Sequence, residues 1–348
     1  MTAHQADNAR HALLVLPRLR IQNANAISSP LTHGFPSMTA LVGFMWALQR
    51  NVSKQGMPIR LHRVGVICHR ADEQVVDGYV KSFRLTRNPV DKDGSTAAIV
   101  EEGRMHLDIT LLFDITGIEP QPDAAVAHDD QLNAYARQIG DIVARMRVAG
   151  CGVLPTRRIP GVRTEPWIAP LADEYDEQLV QFARWRRQWL PGYALVGRDD
   201  LLDARHRMLR ETQPDASLLD AWLHAARFNH QPLSDERDAR GRLRWDDPLR
   251  TRGSGWIVPI PVGYAALTPP QPAGTVENAR DGATPFVWVE SVYTMGQWIS
   301  PHRLTHPHEL MWAAETDAEK GLYRCRSAYA GSDEGEAELS EEVLPSFD

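Results

Sequence analysis

The chain has 348 residues, 43% of them hydrophobic and 24% charged, and a formal net charge of −7 at pH 7. This composition predicts a globular protein with a hydrophobic core, large enough for two domains or one domain with insertions. No apolar run reaches the ~18 residues that span a membrane, and residues 1–10 lack the apolar core of a signal peptide, so we expect a cytoplasmic protein. The three cysteines form no CxxC pair, so we expect neither disulfides nor a zinc site.

The negative charge is concentrated at one end of the sequence. Residues 331–348 carry seven acidic side chains and no lysine or arginine, so residues 1–330 have a formal net charge of zero. We expect residues 331–348 to form a flexible acidic tail. Arginine supplies 34 of the 38 cationic side chains. Arginine suits bidentate contacts to phosphate, although codon bias in a GC-rich genome would give the same ratio.

Strand and helix patterns alternate through the first 196 residues. The hydrophobic periodicity predicts, in chain order, a strand at 11–22 with a bulge or edge position at Pro17, a helix opening at Pro36, strands at 63–70 and 104–113, a helix at 129–149, and strands at CGVLP (151–155) and GYALV (192–196). This is the βαββαβ order of the ferredoxin-like or RRM-like fold. We therefore predict an α+β protein with an RRM-like core.

Insertions and extensions are expected around that core. Turn signals at Asp77-Gly78, Asn88-Pro89 and Asp93-Gly94 predict an extended hairpin, a thumb, at 71–104. Further along the chain we predict helices at 172–190 and 199–228, loops at 231–256, no regular central strand in the proline-rich stretch 256–274, a helix near 307–316 and a strand near 321–327. The expected organisation is a core at 1–196, a helical region at 197–250, a C-terminal portion packing on the core at 251–330, and the acidic tail at 331–348.

Catalytic motifs are absent from the sequence. It contains no GxGxxG, no Walker loop and no GxSxG, and the HExxH-like start at His308 has Trp312 where the second histidine would stand. The densest histidine cluster, HRLTHPH (302–308), is more typical of surface or capping roles. These absences predict a protein that is not an enzyme and that uses no cofactor or metal.

A long uncharged polar loop at 22–37 precedes the first helix. Amide side chains can pair with base edges, and the free N–H groups of a helix start attract phosphate. The candidate ligand-binding residues of this loop are Asn23, Asn25, Ser28, Ser29 and Gly34. If the first strand continues, Asn23 and Asn25 share a face. The same residues fit a plain polar turn with a helix cap equally well.

The predicted hairpin is basic and rich in hydroxyl groups. Its candidate residues are Lys81, Arg84, Arg87, Asn88, Lys92, Ser95 and Thr96. Such protrusions beside an RRM-like sheet often contact RNA. A solvated hairpin without a ligand is the equally weighted alternative.

Several long blocks closely resemble one known family. The blocks are LPRLRIQNANAISSPLTHGFPS, RNPVDKDGSTAAIVEEGRMHL, PGYALV, VPIPVGYAAL and SPHR. They resemble the type I-F CRISPR–Cas (Csy) subunit that caps the 5′ handle of the guide RNA (crRNA). The similarity runs from about Leu14 to about Tyr323, so it covers nearly the whole chain.

The resemblance implies a binding role within a larger assembly. Such a subunit has an RRM-like core with added helices, pairs with the large subunit of the Csy complex and adjoins its backbone subunits, while target DNA is read by base pairing with the guide in antiviral defence. By resemblance, the residues near the RNA are Asn23, Asn25, Ser28, Ser29, Gly34, Arg84, Arg87, Asn88, Ser95, Thr96, Arg104 and, more weakly, Arg303. Many members carry Trp at the position of His33. The alternative is a crRNA-processing endoribonuclease of the same superfamily, with His62, His69 or His106 as acid–base residues.

Overall fold

The computed structural model describes residues 10–87, 90, 93–96, 99–118, 125–237, 240–250, 255–279 and 281–329. Three predicted features, Asn88, Lys92 and the acidic tail at 331–348, lie outside these residues, and only the backbone of Arg87 is described. The described chain is a mixed α/β structure with a large antiparallel sheet and five α-helices. Among the described helices, none combines the length and apolar character needed to cross a bilayer.

The elements are numbered in chain order. The strands are β1 (Ala12–Asn25), β2 (Ile27–Ser29), β3 (Thr32–His33), β4 (Arg60–Glu73), β5 (Val75–Val76), β6 (Ser82–Phe83), β7 (Leu85–Arg87), β8 (Ile99–Glu101), β9 (Arg104–Thr116), β10 (Arg147–Val148), β11 (Cys151–Leu154), β12 (Trp167–Pro170), β13 (Tyr193–Gly197), β14 (Gln231–Arg237), β15 (Leu243–Asp246), β16 (Trp256–Ala266), β17 (Val289–Ile299), β18 (Met311–Asp317) and β19 (Leu322–Ser327). The helices are α1 (Met38–Lys54), α2 (Ala125–Val143), α3 (Tyr175–Trp185), α4 (Asp199–Thr212) and α5 (Leu218–Ala226).

One sheet organises the molecule. In the described part of the chain it has eleven strands in the order β10-β11-β1-β9-β4-β13-β17-β16-β19-β18, and β12 pairs with the other end of β1. Strand β18 also pairs with β4, so the second half of the sheet curls back on the first. The four strands β11-β1-β9-β4 are consecutive and antiparallel, and they are the predicted strands at 151–155, 11–22, 104–113 and 63–70.

Helices cover the two faces of this sheet unequally. Leu41, Met45 and Leu48 of α1 recur at helical spacing and are 0–1% exposed against one face, each worth about 1.5–3 kcal/mol of burial. On the opposite face, Phe182 of α3 and Trp189 of the following 3-10 turn pack on the N-terminal half of β1. Both faces of the N-terminal half of β1 are therefore covered.

Two irregularities interrupt β1. The ladder with β9 shifts between Leu16 and Leu19, which confirms the predicted bulge at Pro17, and Arg18 there has a φ of 56°. A second shift falls between Ile21 and Ala24, where Asn23 has a φ of 60°. A bulge breaks the alternation of side chains between the faces of a strand. The C-terminal end of β1 therefore presents its side chains differently from a regular strand.

The prediction for the proline-rich stretch is wrong, because β16 is an interior strand between β17 and β19. Its prolines are tolerated for a geometric reason. Strand β19 pairs only with Gly263–Ala265, so Pro259 and Pro261 lie where β16 has one neighbour. On the side of β16 that faces no strand here, a missing N–H group breaks no ladder hydrogen bond, so both prolines are tolerated.

Other boundaries also differ from the predictions. The predicted helix near 307–316 is a 3-10 turn followed by β18, because Met311 and Trp312 are buried in ladders with β4 and β19. The predicted loop at 231–256 contains the β14–β15 hairpin. Helix α1 begins at Met38 after Ser37 as N-cap rather than at Pro36, and α2 ends at Val143 rather than near residue 149, where the β10–β11 hairpin takes over.

Candidate nucleic-acid interface

The polar loop folds into a small hairpin held by three of its own hydroxyl groups. The Oγ atoms of Ser28 and Ser29 lie 2.8 and 2.7 Å from Oγ1 of Thr32, and the Leu31 N–H donates to Ser29 Oγ at 3.1 Å. Ser29 and Thr32 are also buried. Most of the bonding capacity of the two serines therefore holds the turn between β2 and β3.

The two asparagines have different surroundings. Oδ1 of Asn23 accepts a hydrogen bond from Gln74 Nε2 at 2.6 Å, whereas both side-chain atoms of Asn25 bond the backbone of Ile27, at 2.8 and 3.1 Å. Asn23 lies within the bulge between Ile21 and Ala24, and Asn25 follows it. Asn25 therefore ends β1 and shapes the loop, while Asn23 belongs to a polar network on the sheet.

The loop and the base of the hairpin are joined. The N–H of Ala26 donates to the carbonyl of Gly103 at 2.9 Å, and Phe83 meets the ring of His33 edge-on with centroids 5.6 Å apart. His33 Nδ1 lies 2.9 Å from Glu73 Oε1, so the end of β4 closes the contact. Gly34 carries a φ of 108°, which favours glycine. The structure thus brings together the two segments predicted separately from the sequence.

The predicted hairpin residues lie beyond this junction. Two short ladders, β5–β6 and β7–β8, carry the hairpin. Arg84 and Thr96 are exposed, and Oγ of Ser95 donates to Asp93 at 2.7 Å within a turn. Arg104 is the first residue of β9, and its guanidinium pairs with Glu102 at 2.8 Å.

Arg303 lies apart from these residues. It ends the 3-10 turn Pro301–Arg303, and the next residue, Leu304, is buried in the cluster formed by Phe182 and Trp189. That cluster covers the face of the sheet opposite α1, because its β1 members, Leu13 and Val15, alternate with those facing the helix.

A polar cleft of about 590 Å³ opens at the start of α1. Its lining includes Asn25, Ser28, Ser37, Arg147, Tyr264 and Tyr323. The side chain of Ser37 does not cap the helix, because its Oγ lies 2.8 Å from Oγ1 of Thr39 instead. The positive end of the α1 dipole and the exposed Arg147 both favour an anion here. Burial raises the pKa of Tyr323 to about 12, so its phenol stays neutral.

An aromatic cleft of about 410 Å³ lies on the other side of the same loop. It is defined by Phe35, Tyr193, Trp256 and Trp298. Trp256 and Trp298 are cross-strand partners with ring centroids 6.1 Å apart, and Phe35 meets Trp298 edge-on at 4.9 Å. Both clefts share Ser28, Pro36 and Ser37 in their walls, so the loop is the partition between them.

Several lining residues carry no signal in the sequence. Arg147, Tyr264 and Tyr323 of the polar cleft come from distant segments, and only the sheet register brings the two tyrosines side by side at 6.4 Å. Trp256 and Trp298 meet through the β16–β17 ladder. The sequence did not predict this ladder, because prolines disfavour a regular central strand in the stretch 256–274.

The three histidines suggested as acid–base residues are dispersed. Both ring nitrogens of His69 are engaged, with the Pro191 carbonyl at 2.7 Å and Thr110 at 2.8 Å, and burial lowers its pKa. His106 lies 3.1 Å from Gln74 Nε2. His62, beside Thr116, stands seven positions from His69 on β4, roughly 23 Å at about 3.3 Å per residue.

Comparison with known proteins covers nearly the whole chain. A family model described as CRISPR-associated protein (Cas_Csy2) matches residues 14–325. The chain is also similar to the CRISPR-associated protein Csy2 of Pseudomonas aeruginosa (strain UCBPP-PA14), with 44% identity over 321 residues that cover 90% of this chain and 94% of the relative. The matched span includes the loop, the hairpin base and the walls of both clefts.

Proposed function

This chain belongs to the Csy2 family of CRISPR-associated proteins of type I-F systems, and from that premise we propose that it is a non-catalytic RNA-binding subunit that caps the 5′ handle of crRNA. Its partners are the large subunit of the Csy complex and the adjoining backbone subunits, in the cytoplasm. Target DNA is reached through the assembled complex, by base pairing with the guide, in antiviral defence.

The junction of loop and hairpin carries the proposal. The Ala26–Gly103 bond and the His33–Phe83 contact join an uncharged polar loop to a protrusion that bears Arg84. An RNA strand that follows this junction passes the start of α1 and Arg147, where its phosphates are neutralised. Arginines on the hairpin extend the same electrostatic path.

The architecture that we propose for the core is RRM-like. Its support is the antiparallel order β11-β1-β9-β4, in which the first and third of the four core strands are central and α1 and α2 follow those strands in sequence. In this proposal residues 1–196 form the core with a thumb at 71–104. The helical region at 197–250 and the C-terminal portion at 251–330 pack beside it.

The non-catalytic role is supported by where the histidines lie. General acid–base cleavage of RNA needs two titratable groups near one phosphate. His69 is half-buried with both ring nitrogens engaged, and His62 is roughly 23 Å from it along β4. We therefore expect the purified chain to leave a repeat-containing precursor RNA intact.

Co-expression with the other complex subunits tests the proposal. We expect the chain to co-purify stoichiometrically with guide RNA whose 5′ handle is protected from nuclease digestion. Omitting the chain should leave the handle digestible and the complex incomplete. Full assembly with a protected handle in its absence would refute the proposal. Cleavage of precursor RNA by the purified chain, lost in His62→Ala, would favour the endoribonuclease.

A further inference from the structure

The aromatic cleft exposes more aromatic surface than folding requires. Trp256 is 62% exposed and Tyr193 is 49% exposed, although the chain neighbours of Tyr193, Gly192 and Ala194, are buried. Large aromatic groups held at the surface in one concave place are typical of ligand sites. The buried Trp298, 9% exposed, forms the floor between them.

The cleft is also preorganised. Trp298 is fixed by Phe35 on one side and by its cross-strand partner Trp256 on the other. Pro259 and Pro261 form part of the wall on β16 and have no backbone N–H to rearrange. A ligand therefore enters without the ordering cost that a flexible site would impose.

The chemistry of the walls selects a flat π system. The cleft combines four aromatic rings with prolines and with aliphatic side chains such as Val258 and Ile260, whereas another exposed apolar surface, on α5, consists only of aliphatic Leu218, Leu219 and Leu223. Aromatic faces stack on nucleobases of any sequence. Ser37 and the His33–Glu73 pair at the rim offer hydrogen-bonding atoms to the edge of such a base.

Position supplies the second argument. The loop that divides the two clefts has Ser28, Pro36 and Ser37 in both walls. A strand whose phosphates follow the polar cleft can therefore turn a base over the partition into the aromatic cleft. Recognition of single-stranded RNA commonly pairs a phosphate path with a stacked, splayed-out base.

We propose that the aromatic cleft holds one unpaired base of the bound RNA, stacked on the indole of Trp256. The inference rests on the proposed function, because it assigns a base subsite to the same RNA. It makes Trp256 and Tyr193 base-binding contacts as well as parts of the fold.

The experiment places 2-aminopurine singly at each position of an RNA with the repeat-derived 5′ end. Binding to the full-length chain should quench the fluorescence strongly at one position. Trp256→Ala should abolish that quench and weaken binding about 5- to 150-fold, the range expected for one lost base–aromatic stack. Trp256→Tyr should retain most of both. Trp288→Ala, which removes an exposed tryptophan outside the cleft (55% exposed), should change neither.

An abasic nucleotide at the quenched position provides a test without a protein variant. It should weaken wild-type binding by the same factor and make wild type and Trp256→Ala equal, which also guards against a folding defect in the variant. Unchanged RNA affinity in a folded Trp256→Ala chain would overturn the inference while the proposed function stands. If that variant instead fails to assemble with the other subunits, the cleft holds a protein side chain. Absence of RNA binding by the wild-type chain would overturn both proposals.

Discussion

The two ends of strands β1, β4 and β9 are both polar, yet their polar groups do different things. At the histidine end, defined by His11, His62, Asp114 and Thr116, the buried Asp114 lies 2.6 Å from His11, and His62 lies 2.7 Å from Thr116. At the loop end, defined by residues 22–37 and the hairpin base, the polar groups border two clefts. Polarity alone therefore does not mark the candidate site; the adjoining open space does.

The titratable groups of the histidine end stabilise one another. The hydrogen bond between His11 and Asp114 raises the pKa of His11. Burial alone would raise the pKa of Asp114, but the hydrogen bond with His11 and the imidazole of His308, 3.8 Å away, outweigh burial and hold that pKa below its ordinary value. Such mutual stabilisation locks both groups into the fold. Substitutions at the histidine end should therefore change stability alone, whereas substitutions at the loop end should also change RNA binding.

The largest effect is expected where the loop meets the hairpin. A Cβ on Gly103 would lie 2.5 Å from Cγ1 of Ile27, so Gly103→Val should push the hairpin off the loop and lower the free energy of unfolding by about 1–3 kcal/mol. RNA retention should fall with it, measured by co-purification. Gly65→Val is the matched control: its added Cβ would lie 2.0 Å from Cδ1 of Leu310, away from both clefts, so it should also destabilise the fold but keep RNA. Equal RNA loss in both variants would contradict the distinction between the two ends.

The next effect concerns charge. Arg84→Ala combined with Arg87→Ala should remove two phosphate contacts, so the fall in RNA affinity between 50 and 200 mM salt should be about tenfold smaller than for wild type. Arg60→Ala with Arg63→Ala removes the same charge from the histidine end and should leave the slope unchanged. A salt titration of affinity distinguishes the pairs, and identical slopes would exclude the hairpin from the RNA path.

A smaller effect is expected from the side-chain amide that ends β1. Asn25→Ala removes two hydrogen bonds to Ile27 and should cost about 1 kcal/mol of stability and weaken RNA binding, because the loop loosens. Gln49 makes an equivalent pair of bonds, to Ile59 and Leu61, near the histidine end. Gln49→Ala should therefore cost similar stability in denaturant titration but leave RNA affinity intact. Loss of RNA affinity in Gln49→Ala would contradict the distinction between the loop end and the histidine end.

The smallest effect is a pH dependence at the histidine end. Because the folded pKa of His11 is raised, its stabilising contribution is complete below the ordinary histidine pKa of about 6.5 and is lost as pH rises through the folded value. The stability difference between wild type and His11→Asn should be larger at pH 5.5 than at pH 8.5, by at most about 1 kcal/mol since the side chain is 40% exposed.

His62→Asn supplies a control of opposite sign. Burial lowers the pKa of His62, so wild type should lose stability relative to this variant as pH falls below about 6.5. RNA affinity should follow wild type in both histidine variants at every pH. A histidine variant that altered RNA affinity would place the histidine end in the interface.

The sequence predicted the elements whose pattern is local. β1, β4 and β9 alternate, α1 repeats at helical spacing, and Pro17 marked a real bulge. It failed where pairing with distant strands decides the outcome. β16 tolerates its prolines because β19 pairs with only part of it, and β18 takes a helix-like sequence into a ladder because Met311 and Trp312 are buried there.

The candidate site divides in the same way. The loop and the hairpin were recognisable because each is contiguous in sequence. The clefts beside them were not, because Arg147, Tyr323, Trp256 and Trp298 converge only in the folded sheet. The structure also shows that the hydroxyl groups of Ser28 and Ser29 hydrogen-bond to Thr32 within the turn, which residue types alone do not reveal.

Crosslinking tests the central claim most directly. A complex co-purified with guide RNA that carries 4-thiouridine in its 5′ handle should, after irradiation and peptide mapping, show crosslinks at the loop end, on residues that border the two clefts and the hairpin base. The histidine end should give none. Crosslinks concentrated at His11, His62 and their neighbours, or a chain that crosslinks nowhere while the handle is bound by other subunits, would contradict the account.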